Sequence, residues 1–394
     1  MTHSYQLGGK VVHGERMRVL SVISSSNQLY SGIGRNLFEL ADRMSKEIAF
    51  EFAIDDATPR NVEIASTFAQ AHDIPLHLAP AVRKPFALDT SGDGLQSLVR
   101  QPRFDVVECL CWANAATNSE VLSAIDDSKV LVYTPHDQPL WTVPMSEASQ
   151  AVTSDCHSRM VRRADLVLCD SPAEKAELQL LAPGRFNCAY QPIGCDFEYF
   201  QFAKTPRKPQ LLFVGDLAEP RKRFDRVLAV FEELLQLEPA LRLVVIGSPG
   251  RVATAKLPES VRHAVTIEGY VDETSLLRAY QESLGFLLFS EYEAFGIPIL
   301  ESLACGTPVF LTPMETTIGL FQPFAGVHFC PPDEAAVTAQ LIYNVITRYA
   351  LLSVHMKADR PSLCAQFDWR AVADNKWALL RSAWFRKKGL RIPA

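Results

Sequence analysis

Two glutamates, Glu293 and Glu301, stand with seven residues between them in the stretch Ser290-Glu-Tyr-Glu-Ala-Phe-Gly-Ile-Pro-Ile-Leu-Glu-Ser-Leu-Ala-Cys-Gly-Thr-Pro308. Gly296 and Pro298 open a helix there, because a proline in the first turn needs no N–H. Gly306 closes that helix and Pro308 prevents it from restarting. Helical side chains lean toward the N-terminus, so Glu301 reaches toward the loop that carries Glu293. The free N–H groups of Phe295, Gly296 and Ile297 point into the same space. Backbone donors suit phosphate or sugar oxygens, and an ionised carboxylate accepts from neighbouring hydroxyls such as a ribose diol. Together they describe a sugar-nucleotide site.

Two further groups could join this chemistry. Arg221-Lys-Arg223 sits where a helix begins, and cations there oppose the helix dipole unless something offsets them. A bound anion would do so; the plain alternative is a solvated charge run. His136 follows Val132-Tyr-Thr-Pro135, where the proline keeps the preceding residue extended and ends a strand. That aims His136 at whatever lies beyond the strand's carboxyl end. A lone loop histidine is otherwise structural or solvated, and the other eight show no metal-ligand spacing.

The elements that must position these groups alternate. Strands are expected at 18–24, 49–54, 76–78, 105–109, 130–133, 164–169 and 187–190, then at 211–214, 241–247, 265–271, 284–289 and 309–311. Helices lie between, for instance about 62–71 and 274–282, and one carries Val227, Val230, Phe231, Leu234 and Leu235 at helical spacing. Such alternation argues an α/β architecture with mostly parallel sheets. In such sheets the ligand crevice lies outside the carboxyl ends of the strands. Gly32-Ile-Gly34, between the first strand and a helix bearing Leu37, Leu40 and Ala41, is a candidate phosphate turn of that kind. Ala203-Lys-Thr-Pro-Arg-Lys-Pro209 reads as an exposed linker.

The stretch from Glu293 to Val309, with Phe-Gly-Ile-Pro and Cys-Gly-Thr-Pro-Val in register, resembles the signature of retaining family 4 glycosyltransferases. That resemblance extends more weakly over residues 18–375 and implies the GT-B fold: two Rossmann-like doubly wound domains facing each other across a cleft. It implies an N-terminal acceptor-binding domain at 1–200, a nucleotide-sugar-binding domain at 205–368, and a terminal helix at about 370–394 packing back on the first domain. Ile193-Gly-Cys-Asp-Phe-Glu-Tyr-Phe200 resembles the segment that closes the first domain. By the same resemblance Glu301 holds the ribose, and Glu293 and His136 line the donor sugar. Gly215 and Lys222 correspond to the glycine and lysine that embrace the diphosphate. Asp216 occupies the family's arginine position, so Arg221 or Arg223 would have to supply that charge. Tyr270 and Val271 offer backbone groups to the base, and Phe295, Gly296 and Ile297 offer theirs to the donor. Gly32 matches the second glycine of the family's Gly-Gly loop, and Ser31 replaces the first. The implied activity is transfer of a hexose from a GDP- or UDP-sugar to a saccharide or lipid-linked acceptor with retained configuration, in polysaccharide or glycoconjugate synthesis. Since no Asp-x-Asp motif occurs, neither metal nor cofactor is expected. Positive side chains would neutralise the leaving diphosphate.

Composition bounds the alternatives. The 394 residues and 48% apolar content allow two or three domains with substantial cores. A net charge of −6 argues against a nucleic-acid groove. Nine cysteines without a Cys-x-x-Cys pair read as buried thiols in a reducing compartment, with neither a disulfide framework nor a zinc site. The polar N-terminus lacks a signal-peptide pattern, so a cytoplasmic location is expected. The aromatic and basic end at 384–391 could touch anionic lipid at the inner membrane face; a solvated terminus is the plainer reading. A glycosidase also needs two carboxylates, but flanking the scissile bond, and two on one domain suit donor gripping better. A catalytically inactive nucleotide- or partner-binding GT-B protein is the main alternative, raised by Asp216. A sugar-nucleotide epimerase of the same fold is a weaker one.

Overall fold

The computed structural model describes residues 4–7, 10–13, 16–23, 32–54, 59–78, 94–112, 115–136, 146–184, 186–202, 206–248 and 257–390. They form two compact units, one of Met1–Pro192 with Trp369–Ala394 and one of Ile193–Asp368. The loop at 25–31, residues 203–205 of the linker and the last four residues lie outside the described set.

The first unit begins with an antiparallel pair, β1 (Ser4–Leu7) and β2 (Lys10–His13). Its main sheet is built from β3 (Met17–Ile23), β4 (Ile48–Ile54), β5 (Leu76–Leu78), β6 (Val106–Leu110), β7 (Val130–Thr134), β8 (Leu166–Cys169) and β9 (Cys188–Tyr190). These pair in the order β5-β4-β3-β6-β7-β8-β9, every pair parallel. Every residue of β6 and β7 is buried, which is why those strands read as unbroken apolar runs: a central parallel strand is covered on both faces. The crossover helices are α1 (Gly32–Arg43), α2 (Pro59–Ala71), α3 (Leu95–Arg100), α4 (Ala115–Ala124), α5 (Glu147–Arg163) and α6 (Pro172–Leu181). Leu20, Val107, Leu131 and Val167 from the strands pack with Val121 and Met160 from the helices.

In the second unit β10 (Gln210–Val214), β11 (Arg242–Ile246), β12 (Val265–Gly269), β13 (Gly285–Leu288), β14 (Val309–Leu311) and β15 (Val327–Phe329) pair in the order β12-β11-β10-β13-β14-β15, again all parallel. Its helices are α7 (Phe224–Leu237), α8 (Glu259–Arg262), α9 (Glu273–Glu282), α10 (Ile297–Ala304), α11 (Glu315–Phe321), α12 (Ala335–Ile346) and α13 (Tyr349–Phe367). Phe213, Leu243, Leu287 and Phe310 form the core with Val227, Phe231 and Ile342. The strand order reverses between β10 and β13, so the loops after those two strands flank the switch point where doubly wound sheets hold ligands.

The sequence pattern does not announce helix α13. Pro361 lies inside it, on an exposed position, and a proline normally signals a break because it removes a hydrogen bond. Helix α14 (Trp369–Lys387) then belongs to the first unit. Lys376 on it reaches Glu108 in the middle of β6 at 2.6 Å, and both side chains are enclosed. Gln191 and Asn375 add hydrogen bonds between α14 and the end of the sheet. Among the described residues, no helix is long and apolar enough to cross a membrane.

Candidate active site

The site in the second unit is assembled from the two loops at the switch point. After β10 the chain runs through Gly215, turns at Asp216, and makes a short 3-10 turn at Pro220–Lys222 before α7. The Asp216 carboxylate accepts from the Ala218 N–H at 2.8 Å, so this side chain is spent on its own turn. Gly247, at the end of β11, has φ +134°, and a Cβ there would stand 2.0 Å from the Gly215 carbonyl oxygen. Only glycine lets these two loop backbones pass so closely. A Cβ on Gly215 itself would meet the Lys222 side chain at 3.7 Å, so the glycine borders the lysine directly.

The turn at 221–223 is knitted to the loop after β13. Glu291 N–H donates to the Arg221 carbonyl at 2.8 Å, and the Arg221 guanidinium donates to the Tyr292 carbonyl at 3.0 Å. Lys222 Nζ donates to Glu293 Oε1 at 2.6 Å. Arg221 Nη1 lies 3.5 Å from the other oxygen, Glu293 Oε2. Ser290 Oγ donates to Oε1 at 2.7 Å, and Thr316 Oγ1 holds the Glu293 carbonyl at 2.8 Å. Burial pushes the Glu293 carboxyl up. The charges of Lys222 and Arg221, with the hydrogen bonds from Lys222 and Ser290, outweigh that and hold it below the ordinary glutamate value. Arg223 is engaged differently: it has φ +46° and pairs with Asp225 and Glu291. Of the two arginines, Arg221 is therefore the one that shares a carboxylate with Lys222. Arg221 also pairs with Glu219 at 2.8 Å.

The helix after this loop starts as its glycine and proline require. Gly296 has φ +96° and precedes Ile297 and Pro298 in the first turn of α10. Phe295 is buried edge-on against Phe321 and Phe367, with ring centroids 5.8 and 5.9 Å apart, so its side chain anchors the loop in the core. Among the described residues, the N–H groups of Phe295, Gly296 and Ile297 donate to no backbone carbonyl. Glu301, one turn in, is buried, and its Oε2 accepts from the Tyr280 hydroxyl on α9 at 2.9 Å. Glu293 is thus held by cations and a serine, whereas Glu301 accepts from a phenol. Gly269, the last residue of β12, has φ +72°; just beyond it Tyr270 is 83% exposed and Val271 is half-buried.

His136 belongs to the first unit, at the carboxyl end of β7. Its backbone is left-handed, φ +59°, as is that of Cys111 just past the adjacent β6. Trp112 N–H donates to the Pro135 carbonyl at 3.2 Å, tying the two strand ends together. His136 Nδ1 lies 2.9 Å from Asp170 Oδ2 at the end of β8, and both side chains are enclosed. Gly32 is exposed at the first position of α1. The loop that precedes it, Ser31 included, lies outside the described residues.

Four partners of these groups have no distinct mark in the sequence: Asp170, Tyr280, Ser290 and Thr316. Asp170-Ser-Pro172 carries a visible signal, but it reads equally well as a helix opener, and Ser171 does cap α6.

Residues 196–348 match the family model of glycosyl transferases group 1. Over 249 residues the chain is 28% identical to the glycogen synthase of Mycobacterium tuberculosis, covering 60% of this chain and 58% of that protein. The chain therefore spans less than two thirds of the curated relative's length. Among solved structures, the sucrose-phosphate synthase of Thermosynechococcus elongatus superposes with a TM-score of 0.76 at 18% identity, over 94% of this chain and all of that one. The Anabaena protein HepE, solved in complex with UDP and glucose, gives a TM-score of 0.72 at 16% identity over 93% of this chain and all of that one. At such identities these structures establish a common GT-B fold.

Proposed function

From a second unit similar to the group 1 glycosyltransferases, we propose that the chain is a retaining glycosyltransferase. It moves a hexose from a GDP- or UDP-sugar to a saccharide or lipid-linked acceptor, in polysaccharide or glycoconjugate synthesis. The observation that carries this reading is the convergence of Lys222 and Arg221 on the single carboxylate of Glu293, at the switch point of a parallel sheet. Two cations share one acid there, beside the N–H groups that open α10. An arriving diphosphate can take both cations and the helix start together.

Transfer must stabilise an oxocarbenium-like sugar carbon and a departing diphosphate. Lys222, Arg221 and the N–H groups of Phe295, Gly296 and Ile297 meet the growing negative charge; preorganised electrostatics of this kind usually contributes most to such steps. This role is assigned to side chains, without a metal ion. Glu293, released from Lys222, faces the sugar with its negative charge, and Glu301 accepts from the ribose hydroxyls. Gly215 lets the donor approach the backbone, and Val271 with Tyr270 receives the base. His136 is assigned to the sugar by the same reading. Asp216 cannot serve as a cation, and Arg221 takes that part.

The test is thermal unfolding of the full chain against a panel of nucleotides and sugar nucleotides. A ligand bound only by the folded state stabilises it by roughly 2.7 kcal/mol at a hundredfold excess over its dissociation constant. A GDP- or UDP-sugar should raise the midpoint, and Glu301→Ala should weaken that ligand about 10–150-fold, the value of a hydrogen bond to a charged group. Unchanged affinity in that variant removes Glu301 from the ribose role. If the wild type binds a sugar nucleotide but neither transfers nor hydrolyses it with any acceptor, the inactive binding protein, favoured by Asp216, is the correct reading.

A further inference from the structure

The enclosed pair in the first unit points beyond the role given to His136 alone. We propose that Asp170 is a positioning residue that fixes the proton of His136 on Nδ1, so that Nε2 is left as a bare acceptor for a sugar hydroxyl. What the nitrogen meets rests on the glycosyltransferase reading; how it is set rests on the geometry of the first unit.

A carboxylate is an acceptor only, so at 2.9 Å from Asp170 Oδ2 it is Nδ1 that carries the hydrogen. A neutral imidazole has one N–H, which leaves a lone pair on Nε2. That atom is buried and meets no hydrogen-bond partner among the described residues, although the His136 side chain is only 1% exposed. A buried acceptor left unsatisfied has given up its hydration without a replacement, a cost that a donating ligand hydroxyl would offset. The backbone of His136 adds to it. A left-handed non-glycine residue is unfavourable because its Cβ crowds the following carbonyl oxygen, and such conformations persist where surrounding structure imposes them, typically at ligand sites.

Asp170 is held by the start of α6. Its N–H donates to Glu174 Oε2 at 2.6 Å, while the Glu174 N–H donates to Ser171 Oγ at 3.0 Å. This reciprocal cap fixes the first turn. Pro172 follows in that turn, and Gln191 N–H donates to the Cys169 carbonyl at 2.9 Å, anchoring the preceding residue to the end of β9. The carboxylate can neither rotate away with its backbone nor drift toward solvent. His157 Nε2 is buried and unpartnered as well, but its ring is tied to a neutral phenol; at His136 the dry nitrogen coincides with a carboxylate partner and a left-handed backbone at a strand's carboxyl end.

The wild-type protein decides the proton placement by itself. Two-bond proton–nitrogen correlation on the ¹⁵N-labelled full chain, with the His136 ring assigned through its loss in His136→Gln, should show Nδ1 protonated and Nε2 bare. The opposite tautomer overturns the proposal. The second arm is Asp170→Asn, whose amide can donate to Nδ1 and move the proton to Nε2. Turnover of the sugar nucleotide should fall about 10–150-fold, matching a lost charge-backed hydrogen bond. The Kd for UDP or GDP alone, which carries no sugar, and the unfolding midpoint should stay at wild-type values. Unchanged turnover in a folded Asp170→Asn protein overturns the proposal, as does an equal loss of affinity for the bare nucleotide. If that variant does not fold, the wild-type ring spectrum alone decides where the proton sits. A wild type with the expected tautomer but no donor turnover upholds the proton placement and overturns the transferase reading instead.

Discussion

Each unit contains a buried lysine–glutamate pair 2.6 Å long, and the two have different characters. Glu108 sits in the middle of β6, one oxygen bonded to Lys376 and the other accepting from Ser21 Oγ at 3.1 Å. One cation meets one acid, each is locked in a regular element, and neither has anywhere else to go. Glu293 sits in a loop at the switch point, and two cations from a single turn converge on it. Its side chain and that of Lys222 keep 8% and 11% of their exposure, against 0% and 4% for Glu108 and Lys376. The chemistry of a pair therefore does not mark a site. An excess of one sign, on segments placed at the carboxyl ends of strands, does.

The sharpest way to break this comparison is to delete each lysine. In Lys376→Ala the Glu108 carboxylate is left without its cation in a closed interior, and breaking a buried pair from one side typically costs about 3–5 kcal/mol. Denaturant unfolding should show that loss, with affinity for the sugar nucleotide unchanged. An activity loss without a stability loss would show that the strut is a site after all.

Lys222→Ala should behave in the reverse sense. Removing one preorganised donor from a developing charge costs about 10²–10³ in kcat, or about 2.7–4 kcal/mol, with a smaller effect on donor binding. Because Arg221 remains 3.5 Å from Glu293, the stability loss should be below that of Lys376→Ala. The variant also has a signature in acid. The Glu293 carboxyl is held below its ordinary value of 4.5 in the folded protein, so its contribution is present above that pH and fades as pH falls through the lowered value. Without Lys222 the folded value rises, and the acid loss of stability should begin at higher pH. An unshifted acid limb would mean that Lys222 does little to Glu293.

The second unit is the more legible in sequence, for a physical reason. Gly296, Pro298, Gly306 and Pro308 punctuate α10 so tightly that few other local structures fit, and the paired glutamates fall inside that frame. In the first unit the useful pair is split between the ends of two strands. Pro135 marks one end and aims His136, but Asp170 sits where an acidic residue is ordinary helix-start chemistry. Nothing in Asp-Ser-Pro separates a cap from a histidine partner. The strand expected at 265–271 runs two residues past β12, because Tyr270 and Val271 continue its apolar composition while pairing stops at Gly269. The docking of Lys376 onto Glu108 links residues 268 positions apart, and no local pattern encodes that.

Buried tyrosines extend the comparison at smaller amplitude. In the first unit Tyr133 Oη meets His157 Nδ1 at 2.7 Å, and burial lowers the His157 value from 6.5 to about 4. The folded state then binds fewer protons than the unfolded chain between those limits. Stability is full above about 6.5 and falls as the pH is lowered toward 4, by on the order of 3 kcal/mol at 1.36 kcal/mol per unit. Urea titrations across that range should show the slope in the wild type and a flatter line in His157→Gln. A slope that survives the substitution assigns it to another group.

The smallest effect belongs to the second unit. Tyr280 Oη donates to Glu301 Oε2 at 2.9 Å, and its ring packs edge-on against Phe200 and Phe286. Tyr280→Phe keeps the ring and removes only the donor, so the packing survives and the stability cost should be about 1.5 kcal/mol, the low end for a hydrogen bond to a charged group. Its use lies in what happens to binding. If the hydroxyl merely occupies Glu301 until a ribose arrives, removing it takes away a competitor and the nucleotide Kd should hold or fall. If it aims Glu301 at the ribose, the Kd should rise by roughly tenfold, the same 1.5 kcal/mol appearing as lost orientation. Both side chains are enclosed, with the tyrosine on one helix and the glutamate on another, and this favours aiming. A phenol wedged between two phenylalanine rings cannot swing aside for a ligand, so the carboxylate must offer its remaining lone pairs while still bonded to it. Isothermal titration of the variant with UDP and GDP separates the two, and the weaker binding is the expected outcome.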